Sequence, residues 1–130
     1  MNAPAAAATA LPAMLTLPTL AAGELYAGLV LEEAAWHHLI LLPDSMPKSA
    51  GWKKAMEWAK EQNGDLPTRR EQAVLYGNLP GEFKEDWYWS STPDAGVESS
   101  AWYQYFLNGY QYYDRKDGKL RARAVRRVAI

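Results

Sequence analysis

Acidic, basic and hydroxyl side chains are present, but their spacing does not assemble a catalytic set. The candidate acids and bases are His37, His38, Asp94, Glu98 and Asp114. None of them stands where a nucleophile, a base and an orienting group would come together. The paired hydroxyls of Ser90-Ser91 lack the flanking glycines of a nucleophile elbow. The sequence therefore predicts a protein that is not an enzyme and needs no cofactor.

Metal chemistry is limited by the ligands available. The chain has two histidines and no cysteine. His37 and His38 are neighbours in a segment with the composition of a strand, where successive side chains point to opposite faces. They cannot bind the same ion from there, and structural zinc sites use four ligands drawn mostly from Cys and His. We expect no metal site.

Aromatic residues are concentrated in the last third of the chain. Ten of the 16 Trp, Tyr and Phe residues lie between Trp87 and Tyr113, more than one core of this size needs. Half of the 14 Lys and Arg residues follow directly, between Arg115 and Arg127. The rings either pack against one another in a sheet or form a binding surface.

Length and composition favour one globular domain. A chain of 130 residues can bury a core without covalent staples. The absence of cysteine excludes disulfides, thiolate metal sites and cysteine nucleophiles. A net charge of −1 offers no overall attraction to nucleic acid or to an anionic membrane. We expect a leader over residues 1–22 and one domain over residues 23–130.

The predicted leader is rich in alanine and has no charged side chain. Pro4, Pro12 and Pro18 interrupt any helix longer than two turns. A secretory signal would have Lys or Arg before its apolar stretch, and a membrane span would need about 18 apolar residues in a row. We expect a flexible leader on a cytoplasmic or virion-associated protein that does not enter a membrane. In the alternative, LPAMLTLPTL docks on a neighbouring subunit, which gives a homo-oligomer, or on a partner protein.

Two strands and two helices are predicted between residues 24 and 78. ELYAGLVLE (24–32) and WHHLILLP (36–43) have strand composition, and the second is apolar enough to be buried on both faces. Apolar residues at helical spacing predict a helix over Trp52–Gln62, which Asn63-Gly64 ends. Thr68 and Glu71 match a capping box, so a second helix runs from Arg69 to about Asn78. Arg69 and Arg70 are expected to be solvated.

Two turn signals organise the aromatic segment. Asn108-Gly109 and Asp117-Gly118 are typical of two-residue hairpin loops and predict a three-stranded meander. The predicted opposite pairs are Tyr105 with Tyr112, Tyr103 with Asp114, and Asp114 with Arg121.

Side-chain alternation then sorts the meander into two faces. The predicted core face carries Trp102, Gln104, Phe106, Gln111, Tyr113, Leu120, Ala122 and Ala124. The predicted exposed face carries Tyr103, Tyr105, Leu107, Tyr110, Tyr112, Asp114, Arg121, Arg123 and Val125. The choice follows from the arginines, because burying unpaired guanidinium groups is costly. Alternation would also bury Arg126, so a bulge is expected between Ala124 and Arg127. The remaining tryptophans, Trp36, Trp52, Trp58, Trp87 and Trp89, are expected in the core or at its rim, and Ser90 and Ser91 to pack with them.

Four blocks in this order, GDLPTRREQAVLY, WYWSST, AWYQYFLNG and RARAVRRV, resemble the Lcl C-terminal domain family of bacterial and phage proteins. The resemblance covers about Trp52 to Val128. It implies an α+β, C-type-lectin-like fold, shared with formylglycine-generating enzymes and the variable proteins of diversity-generating retroelements. Two helices would cover a twisted antiparallel sheet, with the first and last strands adjacent. The chain departs from the family pattern in having no cysteine and in GDLPT, where a Trp-Arg pair often precedes Leu-Pro-Thr. It also lacks the Glu-Pro-Asn and Trp-Asn-Asp triplets of calcium-dependent sugar-binding lectins.

The resemblance implies that ligands are held on the exposed part of the late strands. Tyrosine suits such a surface, because it offers a large contact area with a hydroxyl at low rotamer cost. The predicted binding residues are Tyr103, Tyr105, Leu107, Tyr110, Tyr112, Asp114, Arg121 and Arg123, with a cation–π contact from Arg123 to Tyr112. Cross-strand aromatic pairs also stabilise a sheet without any ligand, and that alternative stays open.

The leading hypothesis is a noncatalytic, phage- or prophage-encoded module that binds a protein partner, as a receptor-binding part or as an inhibitor of a host system. A second class is single-stranded nucleic-acid binding, in which Tyr110 and Tyr112 stack on bases. Its cations would be Arg115, Lys116, Lys119, Arg121, Arg123, Arg126 and Arg127. A carbohydrate-binding or structural virion component is a third.

Overall fold

The computed structural model describes residues 16–130. Its elements are β1 (Leu25–Glu32), β2 (Ala35–Ser45), α1 (Trp52–Glu61), α2 (Arg69–Asn78), a 3₁₀ turn (Pro80–Glu82), β3 (Trp87–Pro93), β4 (Ser100–Tyr105), β5 (Gln111–Arg115) and β6 (Arg123–Ala129). The strands form two antiparallel sheets of order β1-β2-β6 and β3-β4-β5. The predicted α+β class is confirmed. None of the helices in this part of the chain has the length and apolar character needed to cross a membrane.

Most of the predicted leader, residues 1–15, lies outside the described residues. The same is true of the first half of LPAMLTLPTL, so its proposed subunit contact stays a prediction.

The first two strands lie where the sequence predicts them, and they form a hairpin. Glu33 and Ala34 have φ values of 50° and 62°, the left-handed pair that a tight two-residue hairpin turn requires. β2 is the central strand of its sheet, and its segment Leu39–Leu42 is buried. A strand that is apolar on both faces needs this position, because a neighbouring strand on each edge completes its hydrogen bonds away from water.

Both helices were predicted from local signals. Ala55 and Ala59 on the apolar stripe of α1 are fully buried. Asn63 adopts a left-handed φ of 60° after the helix, and a Cβ on Gly64 would lie 2.5 Å from the carbonyl oxygen of Val125. Gly64 therefore lets the chain leaving α1 approach β6 closely.

The capping box of α2 is formed in both directions. The Glu71 N–H donates to Thr68 Oγ1 at 3.2 Å, and the Thr68 N–H donates to Glu71 Oε1 at 2.9 Å.

The loop between β4 and β5 is longer than predicted. The Tyr105 N–H donates to the Tyr110 carbonyl at 2.7 Å, so four residues, 106–109, form the turn. Tyr112 consequently lies opposite Tyr103. A two-residue loop would have paired Tyr112 with Tyr105. Gly109 has a φ of 81°, and a Cβ there would lie 2.7 Å from the Tyr76 ring on α2. The turn is shaped by this tertiary contact, and the shift of two residues leaves each side chain of β5 on its predicted face.

The predicted meander is wrong beyond β5. The Gly118 N–H donates to the Arg115 carbonyl at 2.9 Å, but the chain does not return along β5. Leu120 bridges Ala50, and Arg121 bridges Tyr88 of β3 in parallel, so the predicted pair of Asp114 with Arg121 is wrong. On β4 the partner of Asp114 is Ala101 and not Tyr103. β6 pairs with β2 on the edge away from β1, so the last strand meets the second strand and not the first.

The face assignment also needs correction. Tyr103, Arg123 and Val125 were predicted to be exposed, and all three are buried. Arg123 is only 5% exposed because backbone carbonyls accept its protons: Nη2 donates to Leu42 at 2.9 Å and Nη1 donates to Glu82. An arginine side chain can face inward where the main chain supplies such acceptors.

The expected bulge lies on the opposite strand. Register between β6 and β2 is regular from Val125 to Ala129 and shifts between Leu41 and Ser45 of β2. No bulge is needed after Ala124, because Arg126 is half-buried in an ion pair with Glu24.

The tryptophans divide between core and surface. Trp89 is fully buried, and Trp52 and Trp58 pack at the rim of the same cluster, as predicted. Trp36 and Trp87 were expected to pack but are 42% and 40% exposed. Ser90 is fully buried and donates to the Trp102 carbonyl at 2.7 Å.

Candidate partner-binding surface of the late strands

One face of the β3-β4-β5 sheet carries aromatic side chains in two cross-strand rows. Pairing places Trp87, Tyr105 and Tyr110 side by side at the end of the sheet, and Trp89, Tyr103 and Tyr112 in the next row. In the second row exposure rises from zero at Trp89 through 8% at Tyr103 to 45% at Tyr112. In this row the face is therefore buried in the core at β3 and exposed to solvent at β5.

We call the exposed part the tyrosine surface. It consists of Trp87, Tyr105, Tyr110 and Tyr112 on this face, together with exposed Leu107 in the turn between β4 and β5. Leu107 and Tyr110 are about half exposed, and Tyr105 is half-buried.

The rings of this surface hold one another in place. Trp87 stacks on Tyr103 with centroids 5.3 Å apart and meets Tyr105 edge-on at 5.7 Å. Tyr110 and Tyr112 lie 5.9 Å apart. Such contacts fix rotamers before any ligand arrives, which lowers the entropic cost of binding.

The structure brings together only some of the predicted binding residues. Tyr105, Leu107, Tyr110 and Tyr112 share the tyrosine surface, with half-buried Asp114 nearby on β5. Tyr103 is buried, and the Trp87 ring stacks on it. Trp87 was missed as a surface residue, although strand alternation from buried Trp89 places both on the same face as Tyr105.

The two predicted arginines lie elsewhere. Arg121 pairs with Asp86 at 2.7 Å. The predicted cation–π contact of Arg123 with Tyr112 is wrong, because its guanidinium lies 5.3 Å from the Phe83 ring inside the core.

The local environment also sets the ionisation of Tyr103. Burial raises the pKa of its phenol, and Tyr110, Asp114 and Tyr112 add to the rise. The Tyr103 ring is therefore a neutral, apolar support for the exposed rings.

The opposite face of β5 adjoins the start of α2. The Arg69 guanidinium lies 3.4 Å from the Trp102 ring centroid, and its Nε donates to Gln111 Oε1 at 3.2 Å. Gln111 Nε2 in turn donates to the Arg69 carbonyl at 2.7 Å. Arg69 is thus packed where solvation had been expected, and Arg70 is exposed. A hollow of about 410 Å³ opens here, lined by Glu32, Arg69, Arg70, Ala73, Thr92 and Gln111.

A buried ion-pair network joins α2 to β6. Glu71 is fully buried and accepts from Arg127 Nε at 2.6 Å and Nη2 at 2.7 Å. His37 Nε2 lies 2.7 Å from the same carboxylate, and Arg127 also reaches Asp65 at 2.8 Å. Burial raises the pKa of Glu71, but bonds from Arg127, the Thr68 N–H and His37 outweigh it and hold the pKa below its usual range.

The bonds within this network join α2 to β6 and disfavour a bound cation. Glu32, His37 and Glu71 offer ligand atoms within 4.8 Å of one another, the kind of cluster that can bind a cation. The Glu71 carboxylate is already saturated by a guanidinium and a backbone N–H, however, and the guanidinium charge repels a metal. His38 lies on the other side of β2 and meets the Tyr26 hydroxyl at 2.7 Å, so the two histidines point apart as predicted.

Most cations of the proposed nucleic-acid surface already have a partner within the protein. Arg115, Arg121, Arg126 and Arg127 pair with carboxylates. Arg123 is buried, and Lys116 donates to the Glu98 carbonyl. The nucleic-acid alternative stays a prediction, but only Lys119 of its seven cations lacks an acceptor or partner of this kind within residues 16–130.

No protein-family model and no curated protein sequence matches the chain.

Proposed function

We propose that this chain is a noncatalytic module that binds a protein partner on the tyrosine surface. The observation that carries the proposal is a set of exposed aromatic side chains in neighbouring cross-strand positions on one sheet face, with an exposed leucine in the adjoining turn. Trp87, Leu107, Tyr110 and Tyr112 are each at least 40% exposed there. Tyrosine and tryptophan are the residues most enriched at the energetic centres of protein interfaces.

Sheet packing alone accounts poorly for these rings. Cross-strand aromatic pairs stabilise a sheet when they shield one another or the backbone. Here Trp89 and Tyr103 already fill the core side of the same rows, and the outer rings present about half of their surface to water. Large apolar groups clustered in this way on a monomer are typical of interaction sites.

The late-strand location agrees with what the resemblance to the Lcl C-terminal domain implies. A C-type-lectin-like fold, a phage or prophage origin, and a role in receptor binding or in inhibition of a host system are parts of the same proposal.

The test compares capture of host proteins by the natural chain and by the Tyr110→Ala, Tyr112→Ala double variant. Both residues are exposed and lie outside the core clusters, so the fold should survive. We expect loss of the captured partner by roughly 30-fold or more, the usual size of a hot-spot effect. Thermal unfolding followed by circular dichroism checks that the variant is folded.

Trp36→Ala is the matched control, because Trp36 is an equally exposed aromatic residue on the other sheet. Capture should be unchanged in this variant. Equal capture by the double variant and the natural chain would refute the proposed function.

A further inference from the structure

We propose that the outer edge of β5 binds an extended, acidic segment of the partner, which joins the β3-β4-β5 sheet as a fourth strand. The inference rests on the proposed function in one respect: the partner is a protein. It adds the conformation and the charge of the bound segment.

The hydrogen-bond pattern shows which groups of β5 point outward. The Tyr105 N–H donates to the Tyr110 carbonyl at 2.7 Å at one end of the β4–β5 ladder, and the Lys116 N–H donates to the Ser99 carbonyl at 2.8 Å at the other. Antiparallel partners alternate between bonded and non-bonded pairs. The backbone N–H and C=O groups of Tyr112 and Asp114 therefore point toward β4. Those of Gln111 and Tyr113 point away from the sheet.

This edge has no neighbouring strand among the strands of residues 16–130. Natural edge strands are commonly protected by lysine, proline or a bulge. β5 has charged residues only at its end, in Asp114-Arg115, and its centre is Tyr112-Tyr113. The rings of these two tyrosines meet with centroids 4.5 Å apart, so they must separate to opposite faces when a strand pairs along this edge. An added strand would give Gln111 and Tyr113 the backbone partners that residues 16–130 do not supply.

The two faces of β5 offer different chemistry to an added strand. Directly opposite residues of paired strands share a face. A peptide residue opposite Tyr112 would lie on the tyrosine surface and favour an apolar or aromatic side chain. Residues opposite Gln111 and Tyr113 would lie on the other face, where Tyr113 meets the Trp102 ring edge-on at 5.3 Å.

That second face is where the acidic preference arises. Arg69 and Arg70 line the hollow beside Gln111, and neither forms an ion pair with a carboxylate among the described residues. Arg69 is held flat against Trp102. Glu32 is the carboxylate on the wall of the hollow. A Glu or Asp on the peptide would accept charge-assisted hydrogen bonds from these guanidinium groups.

Other occupants fit less well. Residues 1–22 have no carboxylate. Symmetric pairing of two β5 strands would bring the Arg69 and Arg70 groups of both copies to one face of the joined sheet, like charge beside like charge.

The experiment selects binders from a phage-displayed library of random peptides about ten residues long, with the full chain as bait. We expect acidic residues at alternate positions with apolar or aromatic residues between them, the side-chain period of a strand. A selected peptide is then resynthesised with N-methyl groups on the amides of alternate residues. Only one of the two alternate sets of amides would face β5. Methylation of that set should weaken binding about tenfold or more, since it removes the peptide N–H donors and prevents close approach to β5.

Two variants test the protein side. Tyr113→Pro removes the outward N–H, and proline is tolerated where an edge N–H faces solvent. It should bind at least about tenfold more weakly than Tyr113→Ala, which loses the ring but keeps the N–H. Arg70→Glu should weaken binding of the acidic peptides roughly tenfold while sparing peptides with Gln in place of Glu.

Several results would overturn the strand-pairing proposal: no enriched peptide, enrichment without acidic alternation, or indifference to both N-methylation phases. Dimerisation of the chain through β5, detected by sedimentation and lost in Tyr113→Pro, would also overturn it in favour of a second copy. The N-methylated peptides act on the natural chain, so this test holds even if Tyr113→Pro fails to fold.

The two proposals can fail separately. If the captured partner needs Tyr110 and Tyr112 but ignores Tyr113→Pro and competing peptide, the edge proposal is wrong and the proposed function stands. If the edge binds acidic peptides but capture ignores the tyrosine pair, the proposed tyrosine surface is wrong.

Discussion

Arg127→Ala is expected to be among the most destabilising single substitutions on the protein's surface. Arg127 lies on the last strand with a side chain 30% exposed, yet both of its contacts to Glu71 enter a fully buried carboxylate. The substitution leaves that carboxylate with only the Thr68 N–H and His37.

The magnitude follows from this burial. Breaking a buried ion pair by removing one partner costs roughly 3–5 kcal/mol, because the other charge stays desolvated. Arg127 is partly exposed and two other bonds to Glu71 remain, so we expect about 3 kcal/mol of lost unfolding free energy. The bond from Arg127 to Asp65 is more exposed and contributes less than about 1 kcal/mol.

The assay is urea unfolding of both proteins across a range of pH. In the natural protein the pKa of Glu71 is held below its usual value, so the stability it contributes is present above about pH 4.3 and is lost as the pH falls through the folded pKa. In the variant, burial acts without the guanidinium and raises the pKa. As the pH falls, Glu71 becomes protonated in the variant before it does in the natural protein, which removes the cost of its buried charge. The difference in unfolding free energy between the two proteins should therefore shrink below about pH 5.

The matched control is Arg115→Ala, which removes an arginine from an exposed pair with Asp117. It should change the unfolding free energy by no more than about 0.5 kcal/mol. A loss below about 1 kcal/mol in Arg127→Ala, or a loss that does not depend on pH, would contradict the electrostatic reasoning.

Three further predictions concern single positions. Gly109→Ala should lose about 1–2 kcal/mol, because φ is positive and the new methyl meets an aromatic ring of α2, whereas Gly77→Ala in open helix should gain up to about 1 kcal/mol; urea unfolding that ranks them equal would contradict this. Glu24 should titrate with a pKa of about 2 by NMR because Arg126 binds it, and the stability lost in Glu24→Gln at neutral pH should disappear as the pH falls from about 4.5 to about 2; an ordinary pKa would refute the pairing. Arg123→Ala should lose about 2–3 kcal/mol in chemical unfolding, since it leaves a cavity and two carbonyls without donors, and a neutral result would show that these carbonyls find water.

Local signals predicted the local elements well. The capping box, the helical apolar spacing before Asn63 and the apolar run of β2 each depend on residues within a few positions of one another. The same holds for the face of each side chain on β5, which alternation determines whatever the loop length. Tyr105 and Tyr112 lie on the tyrosine surface because alternation along β4 and β5 places them there.

Long-range contacts decided the rest. Asn108-Gly109 belongs to a four-residue turn because Gly109 packs on Tyr76 of α2, and Asp117-Gly118 starts a crossing to the other sheet because Leu120 pairs with Ala50. The buried position of Arg123 depends on carbonyls of Leu42 and Glu82, which lie 81 and 41 residues away along the chain.

The sequence by itself determined the α+β class, the ends of the helices and the alternation that places tyrosines together, because these arise from short-range backbone preference and side-chain period. Tertiary structure alone decided which strand neighbours which, which arginines are buried, and that Trp87 completes the surface. The physical reason is that a guanidinium or an aromatic ring can be satisfied inside or outside a protein. Acceptors and neighbours from distant segments choose between the two, and their positions exist only once the chain has folded.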